Sequence, residues 1–494
     1  MKRATLSQLH SCGLVTGMSL DGKKLYFVDD DTHSLIIGAT RCGKTRCLVL
    51  QTIGALGLAG ESIVATDPKG ELYHYTAPYL ERLGYEVVVL DFVNPLKSNR
   101  FNFCQPVIDA INADNIPLAI TRARDMATML VPDGQKTEPI WTDGQRSALT
   151  SAILAVCVDN RDKPEFQNLS NAREFMAKMF KPTGKYGKLP LEAYMKDRPR
   201  EHPVHTAMDI AHIAPNKMRG SFYTSALVTL DLFTDPAIHA MSNATDFDYG
   251  STGRVKRAVF IVLPDQKKTY HPLAALFIYQ QYQTLVNYCN TRGGRLDRRV
   301  NFVCDEFGNF VKIPDMDTLI TVAGGRGMRF NLFLQDFNQL TEKYGEHIAK
   351  TMRGNCETWV YLQSNDSDTQ KEMSAKLDRY TIKSPSLSGS TGGNMSASYN
   401  FTGRDLLMPG EIKKITRPYQ LVTSNSDPAI MYAPDISKTV FNEMFGLGSK
   451  EHNLQVIMAR QARRPERKPE PKYWGIWEFY TNRILDAEAQ QPAE

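Results

Sequence analysis

Eight short apolar runs rich in β-branched residues recur along the chain, at 34–38, 62–67, 86–91, 258–265, 301–306, 329–336, 357–363 and 419–424. Each closes at a polar or turn residue, the mark of a buried strand. Longer stretches with helical apolar spacing alternate with most of them. That alternation predicts an α/β fold whose mostly parallel sheet is covered on both faces.

The pattern breaks between residues 91 and 258, where no buried strand run is found. The segments 141–158, 170–180 and 218–233 carry helical spacing instead. The expected organisation is a nucleotide-binding domain over 1–139, an inserted all-α domain over 140–247, the rest of the first domain over 248–445, and a basic C-terminal tail over 446–494. The Lys/Gly/Pro/His-rich 181–205 and the Ser/Gly-rich 384–398 read as loops, the latter flexible. In the tail, Trp474 and Trp477 lie three apart, suited to a partner or to the core.

Composition narrows the class. The 494 residues carry a net charge of +5 with 23% charged and 42% hydrophobic residues, which reads as soluble and globular. That charge is too small to name a nucleic-acid partner. The eight cysteines include no C-x-x-C pair and suit neither a zinc site nor a disulfide framework, so a reducing cytosolic setting fits. His202 and His205 are the only close histidine pair. No run approaches a membrane span, and the first residues lack the apolar core of a signal peptide.

The first strand run leads into GATRCGKT, Gly38 to Thr45, which satisfies G-x-x-x-x-G-K-[ST]. Backbone N–H groups of Gly38, Ala39, Thr40, Arg41, Cys42 and Gly43 would curl around phosphate oxygens. Lys44 would reach the β- and γ-phosphates, and Thr45 would help hold Mg²⁺. The following residues read as a helix whose N-terminus faces the anion. A carboxylate ending a second strand should complete the site, and Asp265 competes with the pair Asp305–Glu306. Pro264 disturbs the first strand end, so Asp305 is assigned to the Mg²⁺ side and Glu306 to the general base. Gln335 ends the next run, where it would sense the γ-phosphate or position water. Arg326 and Arg329 precede that run. Either one serves as an arginine finger toward a neighbouring subunit, or both face solvent. No guanine-specific N-K-x-D pattern is present, which leaves ATP as the expected nucleotide.

LIIGATRCGKT, DPKGEL (67–72), SNRFNF (98–103), AVFIVLPD, VCDEFGN and LFLQDFNQL, with RDLLMPGEIKK (404–414), together resemble the VirD4/TraG family of conjugative coupling proteins. The resemblance implies a RecA-like hexameric ATPase that brings DNA–relaxase cargo to a type IV secretion channel at the cytoplasmic side of the membrane. It implies nucleotide-binding roles for Gly38, Gly43, Lys44, Thr45, Asp305, Glu306 and Gln335, and a cargo-recognising role for the all-α insertion. Family members usually begin with membrane-spanning helices, and no such span precedes this phosphate loop. The basic loops 251–257 and 291–299 would lie opposite the nucleotide edge and could meet DNA phosphates. Two other readings stand beside this one. One is a RecA-like DNA translocase or helicase outside conjugation. The other is a mainly non-catalytic docking platform for secretion cargo.

Overall fold

The computed structural model describes residues 1–132, 138–264, 266–389 and 395–490. The chain opens with a three-stranded antiparallel sheet of β1 (Lys2–Ala4), β2 (Val15–Met18) and β3 (Leu25–Phe27), in the order β1-β3-β2. Next come β4 (His33–Gly38), β5 (Ser62–Asp67) and β6 (Glu86–Asp91). Beyond a helical stretch follow β7 (Arg257–Val262), β8 (Val300–Cys304), β9 (Met328–Leu334) and β10 (Cys356–Gln363). A hairpin of β11 (Arg379–Gly389) and β12 (Met395–Asp405) precedes β13 (Tyr419–Thr423) and β14 (Ala429–Tyr432).

One nine-stranded sheet runs in the order β14-β13-β10-β4-β9-β8-β5-β7-β6. From β10 to β6 every neighbouring pair is parallel, whereas β13 and β14 add antiparallel pairs at one side. Every residue of β4, β5, β7, β8 and β9 is buried. Helices on both faces remove the need for alternation, which is why these strands read as continuous apolar runs. Ile36, Ile63 and Phe260 pack on one face beneath the helices Leu50–Ala59 and Glu71–Arg82. Leu35, Ile37 and Val64 pack on the other, in the same core as Phe277 of the long helix His271–Thr291.

Among the described residues no strand lies between Asp91 and Arg257, apart from an isolated bridge from Thr183 to Lys188. The all-helical stretch starts at Gln105, earlier than residue 140. The helix Pro139–Asp159 is its centre, packed against Ile116–Leu130, Leu169–Met179, Pro203–Ile213 and Asn216–Thr229. Within this bundle His202 Nε2 lies 3.0 Å from Asp159 Oδ1, beside Arg198.

Two stretches differ from expectation. The Ser/Gly-rich segment belongs to the β11–β12 hairpin, with residues 390–394 outside the described residues. The C-terminal stretch is a tie rather than a free tail. The helix Lys450–Arg463 packs on Glu71–Arg82, and Ile476–Ala489 packs on the helical bundle. Between them, Arg464 pairs with Asp91 at 3.0 Å and Arg467 with Asp246 at 2.9 Å. Trp474 stacks on Phe175, and Trp477 is buried, so both tryptophans serve the core. No helix among the described residues is long and apolar enough to cross a membrane.

Candidate functional site

The carboxyl ends of β4, β8 and β9 meet at one edge of the sheet, as the crevice rule for open α/β sheets requires. A cavity of about 810 Å³ opens there, lined by the phosphate loop, Asp305, Glu306 and Gln335. Gly38 is needed for close approach, because a Cβ there would stand 2.5 Å from the Cys42 sulfur and 2.8 Å from Lys44 Cγ. Gly43 adopts φ +97, which L side chains avoid. The helical stretch starting at Thr45 aims its N-terminus into the cavity. Lys44 folds back on its own loop, donating to the Gly38 carbonyl at 2.5 Å, with Glu306 Oε1 3.8 Å away. Within the loop Ala39 contributes less than expected, since its N–H is spent on the Gln363 carbonyl at 2.7 Å. Thr40 and Arg41 line the cavity, whereas the Cys42 side chain is buried beneath it.

The second carboxylate pair stands where the strand pattern predicts it. The Thr45 hydroxyl donates to Asp305 Oδ2 at 3.0 Å. Burial, and then the Glu306 charge, push the Asp305 carboxyl up to about 6 against the pull of Lys44 and Thr45. Glu306 adopts φ +52, a left-handed conformation typical of functional turns. Its Oε2 accepts from Asn309 Nδ2 at 3.0 Å and from Gln335 Nε2 at 3.3 Å. Gln339 joins the group by accepting the Gln335 N–H at 2.9 Å. Lys343 donates to the Phe307 and Gly308 carbonyls just after Glu306. Asp265, the competing carboxylate, lies outside the described residues. DPKGEL resolves into parts: Asp67 is buried and accepts the Tyr73 N–H at 2.8 Å, capping the next helix, while Lys69 and Glu71 line the cavity.

The two arginines at the start of β9, Arg326 before it and Arg329 within it, part company. Arg329 does not project toward a neighbour. It is 1% exposed and pairs with Glu61 at 3.2 Å, donating also to the Cys12 and Asp29 carbonyls. Arg326 is half-buried at the amino edge, within 3.4 Å of Asn290 Oδ1 and the Val322 carbonyl. The basic loops at that edge are largely paired inside the chain: Arg254 with Asp248, Arg257 with Glu86, Arg295 with Asp31, and Arg299 with Asp29, Asp31 and Glu61. Sequence reasoning missed Asn309, Gln339, Lys343 and Arg417, another residue of the cavity wall. Asn309 sits in VCDEFGN, and Gln339 follows Gln335 by four positions in LFLQDFNQL, so both carried a readable signal; Lys343 and Arg417 carried none.

Residues 7–436 match the family model described as Type IV secretory system Conjugative DNA transfer. The chain belongs to this family. It is 25% identical over 429 residues to protein VirD4 of Rhizobium radiobacter, covering 84% of this chain and 59% of that protein. It is 24% identical over 410 residues to the conjugal transfer protein TraG of Escherichia coli, covering 78% and 62%. The chain thus spans about three fifths of the length of these curated relatives. Among solved structures it resembles the plasmid coupling protein TrwB in complex with the ATP analogue ADPNP, with TM-score 0.60, 16% identity, and coverage of 88% of this chain and 94% of that one. The sulphate complex of TrwBdeltaN70 gives TM-score 0.63 at 16% identity, covering 91% and 97%. The fold is therefore that of a RecA-like P-loop protein with helical regions added to a mostly parallel sheet.

Proposed function

We propose that this chain is the ATP-hydrolysing portion of a coupling protein that recruits DNA–relaxase cargo and drives its transfer into a type IV secretion channel. The bond from Thr45 to Asp305 carries the reading, because it joins the phosphate loop to the second carboxylate motif in one cavity. The donor set suits Mg²⁺: a hydroxyl and a carboxylate at hydrogen-bond distance, beside Glu306. Thr45 would hold the ion directly and Asp305 directly or through water. A magnesium ion held there supplies charge neutralisation at the β- and γ-phosphate oxygens.

The protein groups divide the remaining work. Lys44 leaves the Gly38 carbonyl and turns to the phosphates. Glu306 accepts a proton from the attacking water, held in place by Asn309 and Gln335. Gln335 links β9 to that carboxylate, so a change at the γ-phosphate is felt at the strand end. Arg326, at the opposite edge, is the arginine left to face the next subunit of a homo-hexamer. DNA, reached as a relaxase-bound single strand, relaxase proteins and channel components are the proposed partners, at the cytoplasmic side of the membrane.

The test is ATP hydrolysis at low salt, with and without single- and double-stranded DNA, for the wild type, Lys44→Ala and Glu306→Gln. DNA-stimulated turnover that disappears in both variants supports the motor. Nucleotide binding with no turnover under any condition, and cargo binding intact in Lys44→Ala, would replace it with a docking platform.

A further inference from the structure

Arg417 lies against the phosphate loop from a distant part of the chain. It precedes β13, which runs antiparallel to β10, so the amino end of β13 reaches the edge where the parallel strands finish. β10 in turn neighbours β4, and its Gln363 carbonyl accepts the Ala39 N–H. The approach is close. A Cβ on Gly43 would stand 2.9 Å from Arg417 Cδ and 3.0 Å from its Nη1.

Among the described residues no acidic group answers the charge of this guanidinium. Its charge bears on the Cys42 and Cys47 thiols, both pushed up by burial and pulled down in part by Arg417. Arg46, also on the cavity wall, differs: Asp435 holds it with two hydrogen bonds of 2.7 Å. Lys44 has Glu306. Arg417 is exposed, lines the cavity, and has no hydrogen bond or ion pair among the described residues. A cation standing free over a loop of backbone N–H groups is a site for phosphate oxygens.

We infer that Arg417 is a phosphate ligand supplied by the same chain, gripping the diphosphate that ADP and ATP share. This rests on the nucleotide reading of the cavity. The side on which it stands decides the target. Asp305, Glu306 and Gln335 lie at β8 and β9, on one flank of β4, which is where the γ-phosphate end belongs. Arg417 comes from the β10–β13 flank, on the other side of β4. It therefore meets the part of the nucleotide that remains after hydrolysis. Its role is to hold ground state and product alike, and it does not act on the transferred phosphoryl group.

Binding of ADP, ATP and inorganic tripolyphosphate, followed by titration calorimetry, tests this for wild type, Arg417→Gln, Arg417→Lys and Lys44→Ala. Because Arg417 is exposed and unpaired among the described residues, its variants should melt with the wild type. Removing one charge-assisted hydrogen bond predicts an about tenfold rise in Kd for ADP and ATP together in Arg417→Gln. Arg417→Lys should recover part of the affinity, tripolyphosphate should weaken in parallel, and KM should rise with kcat little changed. ADP and ATP binding unchanged in Arg417→Gln while Lys44→Ala no longer binds ATP overturns the inference and leaves the nucleotide site standing. Weakening confined to ADP and ATP, with tripolyphosphate unaffected, overturns it too, since Arg417 would then meet the base or sugar. A wild type that binds none of the three removes the nucleotide reading and this one with it.

Discussion

The Lys343 ammonium donates to the carbonyls of Phe307 and Gly308, each at 2.9 Å, and so pins the turn directly after Glu306. Burial, and then the charge of Lys268, bring it down to about 7 from its ordinary 10.5. Between those values the unfolded chain holds a proton that the folded chain has released, so this group makes stability rise with pH. Lys343→Met removes the effect. The unfolding free energy of wild type minus variant should climb by about 1.4 kcal/mol per pH unit above pH ~7, read by urea denaturation up to pH ~9. Turnover should fall in the variant because the Glu306 turn loses its anchor.

Asp305 gives stability and activity opposite responses to acid. Its folded-state carboxyl titrates at about 6 and its unfolded one near 3.8. The folded state binds the extra proton in between, so the contribution of Asp305 to stability is full below the lower value and is lost as pH rises through the upper one. Activity needs the carboxylate. ATP turnover at limiting Mg²⁺ should fall as pH drops through ~6, and raising Mg²⁺, which competes with the proton for this carboxylate, should restore it. As pH falls over the same interval, the stability gap between wild type and Asp305→Asn should shift in the wild type's favour.

Arg329→Leu should be costly to the fold. It leaves Glu61, which is 6% exposed, without its buried guanidinium partner, although Asn301 and Arg299 remain near. Breaking a buried pair from one side costs about 3–5 kcal/mol. Arg326→Ala, which removes only two hydrogen bonds of 3.4 Å, should cost under about 1 kcal/mol. Denaturant midpoints for both variants separate the structural arginine from the one free to act. Equal losses of stability would remove the distinction.

Gly308→Ala should impair hydrolysis while sparing nucleotide binding. A Cβ on Gly308 would stand 1.8 Å from Gln339 Oε1, the atom that accepts the Gln335 N–H. Moving Gln339 releases Gln335 and through it Glu306. The expected outcome is a kcat fall of about tenfold or more with KM nearly unchanged, read from steady-state turnover.

The parallel sheet was legible because burial on both faces turns β4, β5, β7, β8 and β9 into unbroken apolar runs. The β11–β12 hairpin was not, because residues such as Thr381, Lys383 and Phe401 are exposed and no apolar face marks it. The phosphate loop, Asp305, Glu306 and Gln335 were legible as motifs ending strands. Their support was not: Lys343 and Arg417 act through placement, and nothing local in the sequence states what they face. Arg329 misled for the same reason. An arginine opening a strand looks solvated until the fold brings Glu61 beside it. The arginines at 464 and 467 read only as part of a basic tail because Asp91 and Asp246 are far off in the chain.

The helix Lys450–Arg463 is fixed to the nucleotide-binding side, and the helix Ile476–Ala489 to the helical bundle. The extended residues between them act as a check-rein. Any displacement of the bundle from the sheet would stretch that segment or part Arg464 from Asp91 and Arg467 from Asp246. The segment therefore adds a second tie between two parts that already share one core. Cutting the chain after Arg463 would leave every side chain that lines the candidate cavity in place and remove this tie between bundle and sheet.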